Sequence, residues 1–238
     1  MAVSNPSYEA TRGKLETYFD KTAAQTWARL TSDAPVSKIR ATVRAGRDRM
    51  RGILLSMLPK DLSGLRILDA GCGVGQLSVE AARRGAEVVA IDISPTLVGI
   101  AQERAQGAAD VQTLSRITWW TGDMLGEDLG AFDHVVAMDS LIHYRAGDIV
   151  DALARLAPRV RGSIAFTAAP STPALNAMWA AGKLFPRSDR SPAIQPVKAA
   201  ALARRALRDP ALAEWRIAVQ ERVTSGFYIS EALEARPA

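Results

Sequence analysis

Cysteine is nearly missing from this chain. Cys72 is the only one in 238 residues, so no intramolecular disulfide can form. No stretch approaches the roughly 18 apolar residues of a membrane span, and Met1–Thr11 is polar, which reads as no apolar signal region. There is no N-P-P-[YF] run and no dense basic tract interleaved with aromatics, which disfavours work on nucleic acid. Repeats and low-complexity tracts are absent too. What is present is ordinary for a soluble globular enzyme: 48% hydrophobic and 23% charged residues, in a length that suits one domain with a small appended segment. The formal net charge of +5, mostly from arginine, suits an anionic partner or an acidic membrane surface, although scattered arginines more often form a solvated face.

The informative segment is Ile67-Leu68-Asp69-Ala70-Gly71-Cys72-Gly73-Val74-Gly75-Gln76, followed by Glu87-Val88-Val89-Ala90-Ile91-Asp92. The first run is a short strand entering a glycine-dense turn; the second is a strand ending on an acid. Glycine at Gly71, Gly73 and Gly75 lets the backbone approach a ligand closely. Asp92 stands where a carboxylate accepts hydrogen bonds from a ribose diol. A dinucleotide fingerprint would read G-x-G-x-x-G, but Gln76 holds the place of its third glycine. Asp69 just before the turn would repel a phosphate and attract a cation. S-adenosylmethionine, with its sulfonium, ammonium and adenosine, meets those requirements. The L-D-x-G-x-G-x-G pattern resembles motif I of class I S-adenosylmethionine-dependent methyltransferases. Cys72 reads as a small residue filling the turn beside the cofactor, since no base accompanies it.

The rest of the chain alternates strand and helix. Tyr8–Leu30 and Val36–Leu58 read as two helices, the first packing over the site. Strands are expected at Arg66–Asp69, Glu87–Ile91, Ile117–Thr121, Phe132–Met138 and Ser163–Ala168, with helices at Gln76–Arg84, Pro95–Ala105 and Ile149–Ala157. Glu214–Arg222 and Phe227–Glu231 read as the last strands, which the resemblance to class I methyltransferases implies form an antiparallel hairpin at the sheet edge. The expectation is an α/β fold with a Rossmann-like core: a doubly wound, mostly parallel seven-stranded sheet with an antiparallel last strand. Residues 1–60 would form a helical lid or arm and 61–238 the cofactor-binding core. An insertion over about 170–205 would act as a substrate-facing lid or as a helix closing the sheet.

In the methyltransferase superfamily an acid or amide follows strand three near the adenine amino group; Asp123 matches that place, with Met124 to pack on the ring. Asp139 ends strand four. Asp69, Gly71, Cys72, Gly73, Gly75, Asp92, Ile93, Asp123, Met124 and Asp139 are the expected cofactor-binding residues. His134 lies inside strand four and reads as structural. His143 lies in the loop at its carboxyl end and is the better functional candidate.

Further motifs narrow the resemblance. Tyr18-Phe19-Asp20 with Trp27-Ala28-Arg29-Leu30, then Asp139-Ser140-Leu141-Ile142-His143-Tyr144, and finally Ser225-Gly226-Phe227-Tyr228-Ile229-Ser230 resemble the magnesium-protoporphyrin IX O-methyltransferases of chlorophyll and bacteriochlorophyll synthesis. The likeness runs from Tyr18 to Leu233. It implies catalytic roles for Tyr18 and His143, which either position the substrate carboxylate or ligate the porphyrin magnesium. The metal would arrive only as part of the substrate; no protein metal site is expected. The resemblance also implies magnesium-protoporphyrin IX as substrate, a cytoplasmic place with peripheral contact to the photosynthetic membrane left open, and the large porphyrin-binding subunit of magnesium chelatase as an expected partner. Arg40, Arg44, Arg47, Arg49 and Arg51 are candidates for the second propionate or a solvated helix face. Trp27, Met178, Trp179 and Phe185 are candidate walls for the macrocycle. A methyltransferase of another small apolar acid or amine is the alternative, and a binding protein that keeps the fold is a third.

Overall fold

In a computed structural model, residues 6–22, 38–172, 175 and 193–238 are described. Seven strands form one sheet in the order β3-β2-β1-β4-β5-β7-β6. They are β1 (Arg66–Ala70), β2 (Glu87–Asp92), β3 (Ile117–Thr121), β4 (Phe132–Ala137), β5 (Val160–Ala168), β6 (Trp215–Ser225) and β7 (Tyr228–Pro237). The first five pair in parallel, and β7 runs antiparallel to both β5 and β6. The helices are α1 (Pro6–Thr17, continued by a π-helical turn Tyr18–Thr22), α2 (Lys38–Ser56), α3 (Gln76–Arg83), α4 (Pro95–Ala108), α5 (Val111–Ser115), α6 (Ala146–Leu156) and α7 (Ala199–Ala206).

The alternation of side chains along each central strand builds two cores. Leu68, Val135, Ile164 and Phe166 face one side, where Ile149, Leu153 and Leu156 of α6 and Leu202 of α7 meet them. Their neighbours Ile67, Val136 and Ala165 face the other side, against Met50, Leu54 and Leu55 of α2 and Leu77, Ala81 and Ala82 of α3. Each such aliphatic or aromatic side chain, fully buried, contributes roughly 1.5–3 kcal/mol. A central strand apolar on both faces is what a sheet covered on both sides requires.

Local signals fix the element ends. Gly85 takes φ +99 beyond α3, a left-handed turn in which a β-carbon would also strike the backbone of Ser63. Ser94 caps α4 by accepting from the Leu97 amide at 3.2 Å, with Pro95 in the first turn. His134 is structural: its Nδ1 accepts the Ser163 amide at 3.2 Å, at an irregularity in the β4–β5 ladder.

Two expectations shift. The helix of residues 38–56 is no arm, because Met50 and Leu54 are wholly buried in the core. Met50, Ile53 and Leu54 recur at helical spacing, and that stripe is the face α2 turns to the core. The later part of the insertion is α7, whose Leu202 and Ala206 are buried. Trp27-Ala28-Arg29-Leu30, Met178, Trp179 and Phe185 lie outside the described residues.

Candidate functional site

The strand order reverses between β1 and β4, and at such a switch point the loops leaving the strand ends diverge and open a crevice. A cavity lies there, lined by the glycine turn after β1, by Asp92 and Ile93 after β2, by Asp123 and Met124 after β3, and by Asp139, Ser140 and His143 after β4. Its cover comes from α1, through Tyr8, Leu15 and Phe19.

The glycine turn has a different reason at each position. Gly71 has φ +86, and a β-carbon there would lie 2.5 Å from that of Ser140, so glycine keeps the floor of the cavity open. Gly73 also lines the cavity, and its amide donates to the Asp92 carboxylate at 2.9 Å. Gly75 lies between two lining residues, Val74 and Gln76, and is not itself among them. Its φ is +78, and a β-carbon would strike the Trp119 ring at 2.5 Å. That glycine serves packing beneath β3.

Four carboxylates of the described residues line this cavity, each held differently. Asp69 is 1% exposed and accepts the Ser78 hydroxyl at 2.5 Å. Burial pushes its carboxyl up to about 7 against the opposing pull of that hydrogen bond. Among the described residues Asp92 accepts backbone amides, from Gly73 and from Ser94 at 3.0 Å, and burial raises its carboxyl as well. Cys72 lines the turn, and burial pushes its thiol up, so it is inert rather than nucleophilic.

Asp123 accepts the Tyr8 hydroxyl at 2.7 Å and the Leu125 amide at 3.0 Å, with Arg12 at 3.5 Å. Tyr8 stacks on Tyr144 with ring centroids 4.8 Å apart. Asp139 is the one described non-glycine residue with positive φ, at +55. It is held by an ion pair from Arg47, by the Tyr228 hydroxyl at 3.0 Å and by Thr167, whose hydroxyl lies 3.2 Å from the carboxylate and accepts the Asp139 amide at 2.7 Å. Such over-determination holds a non-glycine residue in a sparsely populated conformation.

The donors fit a zwitterionic, cationic nucleoside ligand. Asp92 has lone pairs left for a diol. Arg47 and Asp139 offer one charge of each sign to an amino-acid end. Ser140 Oγ is buried and makes no hydrogen bond among the described residues, which is a polar atom aimed at a ligand.

A second cleft adjoins the first. It is lined by Ser7, Thr11, Lys14 and Tyr18 on α1 and its continuation, by His143 and Arg145 after β4, and by Gln195. Gln195 is tied to the same loop by its amide, which donates to the Ile142 carbonyl at 2.8 Å. His143 lines both cavities, whereas Tyr18 lines only the second. The Phe19 ring meets the His143 ring edge-on at 5.9 Å and the Tyr18 ring at 5.2 Å.

Several of these residues escape the sequence reading. Tyr8, Arg12 and Leu15 carry no motif; only their spacing with Phe19 on one helical face marks them. Among the α2 arginines, Arg47 and Arg51 line the cofactor cavity, while Arg49 pairs with Glu221 at 2.6 Å at the surface. Of the two alternatives for these arginines, Arg49 follows the solvated helix face.

Known proteins match this chain over the same elements. A model for the magnesium-protoporphyrin IX methyltransferase C-terminus matches residues 137–237, and a general methyltransferase domain matches residues 67–162. The magnesium-protoporphyrin O-methyltransferase of Rhodobacter capsulatus is 51% identical over 97% of this chain and 98% of its own length. That of Synechocystis is 32% identical over 92% and 93%. A crystal structure of magnesium protoporphyrin IX methyltransferase from Synechocystis PCC 6803 with bound SAH superposes with a TM-score of 0.79 at 31% identity, covering 95% of this chain and 100% of the other. Since the likeness to the Rhodobacter capsulatus enzyme spans both the glycine turn and the two cavity walls after β4, this chain belongs to the magnesium-protoporphyrin O-methyltransferase family.

Proposed function

We propose that this chain transfers a methyl group from S-adenosylmethionine to one propionate carboxylate of magnesium-protoporphyrin IX, giving the monomethyl ester in chlorophyll or bacteriochlorophyll synthesis. The observation that carries the reading is His143, which stands on the boundary of the two cavities. Bound in the first cavity, S-adenosylmethionine supplies an electrophilic methyl on its sulfonium. Asp92 holds the ribose, Asp123 and Met124 meet the adenine, and Arg47, Asp139 and Ser140 receive the amino-acid end. Asp69, Gly71, Cys72, Gly73 and Ile93 form the wall around it.

A propionic acid has an ordinary pKa near 4, so the nucleophile is ionised at neutral pH and no strong base is required. The task left to the protein is alignment, roughly 3 Å from the methyl, with water excluded. Tyr18 and His143 orient the carboxylate by hydrogen bonds, and Phe19 packs on both rings to limit their motion. The helix α1 covers the cavity and excludes water. Incubation with labelled S-adenosylmethionine and a set of porphyrins, with the ester identified by mass, tests the assignment. No ester from magnesium-protoporphyrin would overturn it.

The same reading includes delivery of porphyrin by the large subunit of magnesium chelatase and a peripheral station at the photosynthetic membrane. Both are motivated by the poor solubility of a flat apolar macrocycle. No described helix is long and apolar enough to cross a membrane. Co-purification with the chelatase subunit and flotation with anionic vesicles test these two points.

A further inference from the structure

The two cavities differ in charge. The first is lined by Asp69, Asp92, Asp123 and Asp139 against Arg47 and Arg51. Among the described residues the second is lined by no carboxylate and by two cations, Lys14 and Arg145. These stand on different elements, Lys14 in the last turn of α1 and Arg145 at the residue preceding α6. Among the described residues neither side chain makes an ion pair, although Arg12 on α1 is committed, pairing with Glu9 and Asp123. The Ser7 hydroxyl in the same cleft is spent on Asp148 at 3.0 Å.

The helix α1 explains how one element serves two unlike sites. Tyr8, Leu15 and Phe19 lie on the face toward the acidic cavity; Ser7, Thr11, Lys14 and Tyr18 recur at three and four residues on the face toward the basic cleft. Lys14 is therefore one turn from Tyr18, and Arg145 is two residues beyond His143. Both cations flank the residues at the junction without standing in it.

We propose that Lys14 and Arg145 bind the second propionate of the porphyrin, the one that is not methylated, and so make the enzyme selective for the diacid. The inference rests on the proposed function. The two propionate arms hang from neighbouring pyrrole rings on one edge of the macrocycle. With one carboxylate at the junction beside His143, its companion falls in the same cleft, where two cations without carboxylate partners are the complementary charges. The monoester product lacks this option for a second round. To present its free carboxylate at the junction it must place a neutral ester against Lys14 and Arg145. The enzyme then stops after one methyl transfer.

The test compares kcat/KM for magnesium-protoporphyrin diacid and for its monomethyl ester in the wild-type chain, in Lys14→Ala/Arg145→Ala and in Lys14→Arg/Arg145→Lys. The alanine pair should lower the value for the diacid about tenfold or more, as expected for two lost charge-assisted contacts. It should leave the value for the monoester and the affinity for S-adenosylmethionine unchanged. The charge-conserving pair should keep most of the preference for the diacid. An equal fall for both substrates, or no fall for the diacid, overturns the proposal. A wild-type enzyme that esterifies no porphyrin would instead overturn the proposed function.

Discussion

The hydroxyl of Tyr8 donates to the carboxylate of Asp123 across 2.7 Å, joining the first described helix to the loop that follows β3. Burial beside that carboxylate pushes the Tyr8 hydroxyl well above its ordinary range, so it stays a donor at any physiological pH. At the other end of the segment Asp20 accepts the Thr96 hydroxyl at 2.7 Å in the first turn of α4. The cover over the cofactor cavity is thus fastened at both ends to the loops that form the cavity.

Tyr8→Phe removes the first fastening and keeps the stacking on Tyr144. Trypsin should then cut at Lys14 on the order of tenfold faster, in keeping with a lost hydrogen bond to a charged group. In the wild-type chain S-adenosylmethionine should slow this cleavage. Equal rates with and without the cofactor would show that the helix does not act as a cover.

Asp92→Ala should weaken S-adenosylmethionine by about 1–3 kcal/mol in a calorimetric titration, since a diol is left without its acceptor and the Gly73 amide loses its partner. Gly71→Val should abolish binding while the melting cooperativity is retained, because the valine side chain would push into Ser140 and the cavity. Unchanged affinity in Asp92→Ala would remove the ribose assignment.

His143→Ala and Tyr18→Phe should lower kcat by about 10–1000-fold while the Kd of S-adenosylmethionine barely moves, the range of positioning groups. Residual turnover should persist because the reacting carboxylate is already charged. Were His143 instead an axial ligand, His143→Ala would weaken magnesium-protoporphyrin and spare the metal-free porphyrin; the two binding constants separate the roles. Wild-type turnover in both variants would refute either role.

The pH dependence of stability should carry the mark of Asp69. With its carboxyl held up at about 7, the folded chain retains a proton that the unfolded chain gives up near pH 4. Stability from this group is full below pH 4, declines as pH rises toward 7 and is gone above it. The raised Asp92 carboxyl acts in the same direction. Thermal melts of the cofactor-free protein between pH 5 and 8 should therefore fall in Tm, and Asp69→Asn should flatten the slope. An unchanged slope in Asp69→Asn would contradict this account.

The sheet was legible in the sequence because its central strands are short apolar runs; the five parallel strands and β6 appear within three residues of their expected places, while β7 runs on to Pro237, beyond the expected end at Glu231. The glycine turn and Asp92 were legible because a backbone that must pass close to a ligand tolerates few residue types. Arg47 was not. It sits on a helix among many arginines, and only the fold brings it to Asp139, 92 positions away in the chain. The packing part of Gly75 was hidden for a related reason: a glycine freed for a ligand and a glycine freed for the Trp119 ring look alike until the sheet is assembled. The partition of the site by α1 was equally hidden, since it depends on two faces of one helix meeting two different loops.

That partition places a demand on the length of the helix as well as on its composition. One residue added or removed between Tyr8 and Phe19 would turn everything beyond it by about 100° about the axis. Lys14 and Tyr18 would swing away from the basic cleft, and Phe19 away from His143, with every side chain still present. Single-residue insertions and deletions in this segment should therefore be far more damaging than conservative substitutions there, and libraries that vary the helix should hold its length fixed.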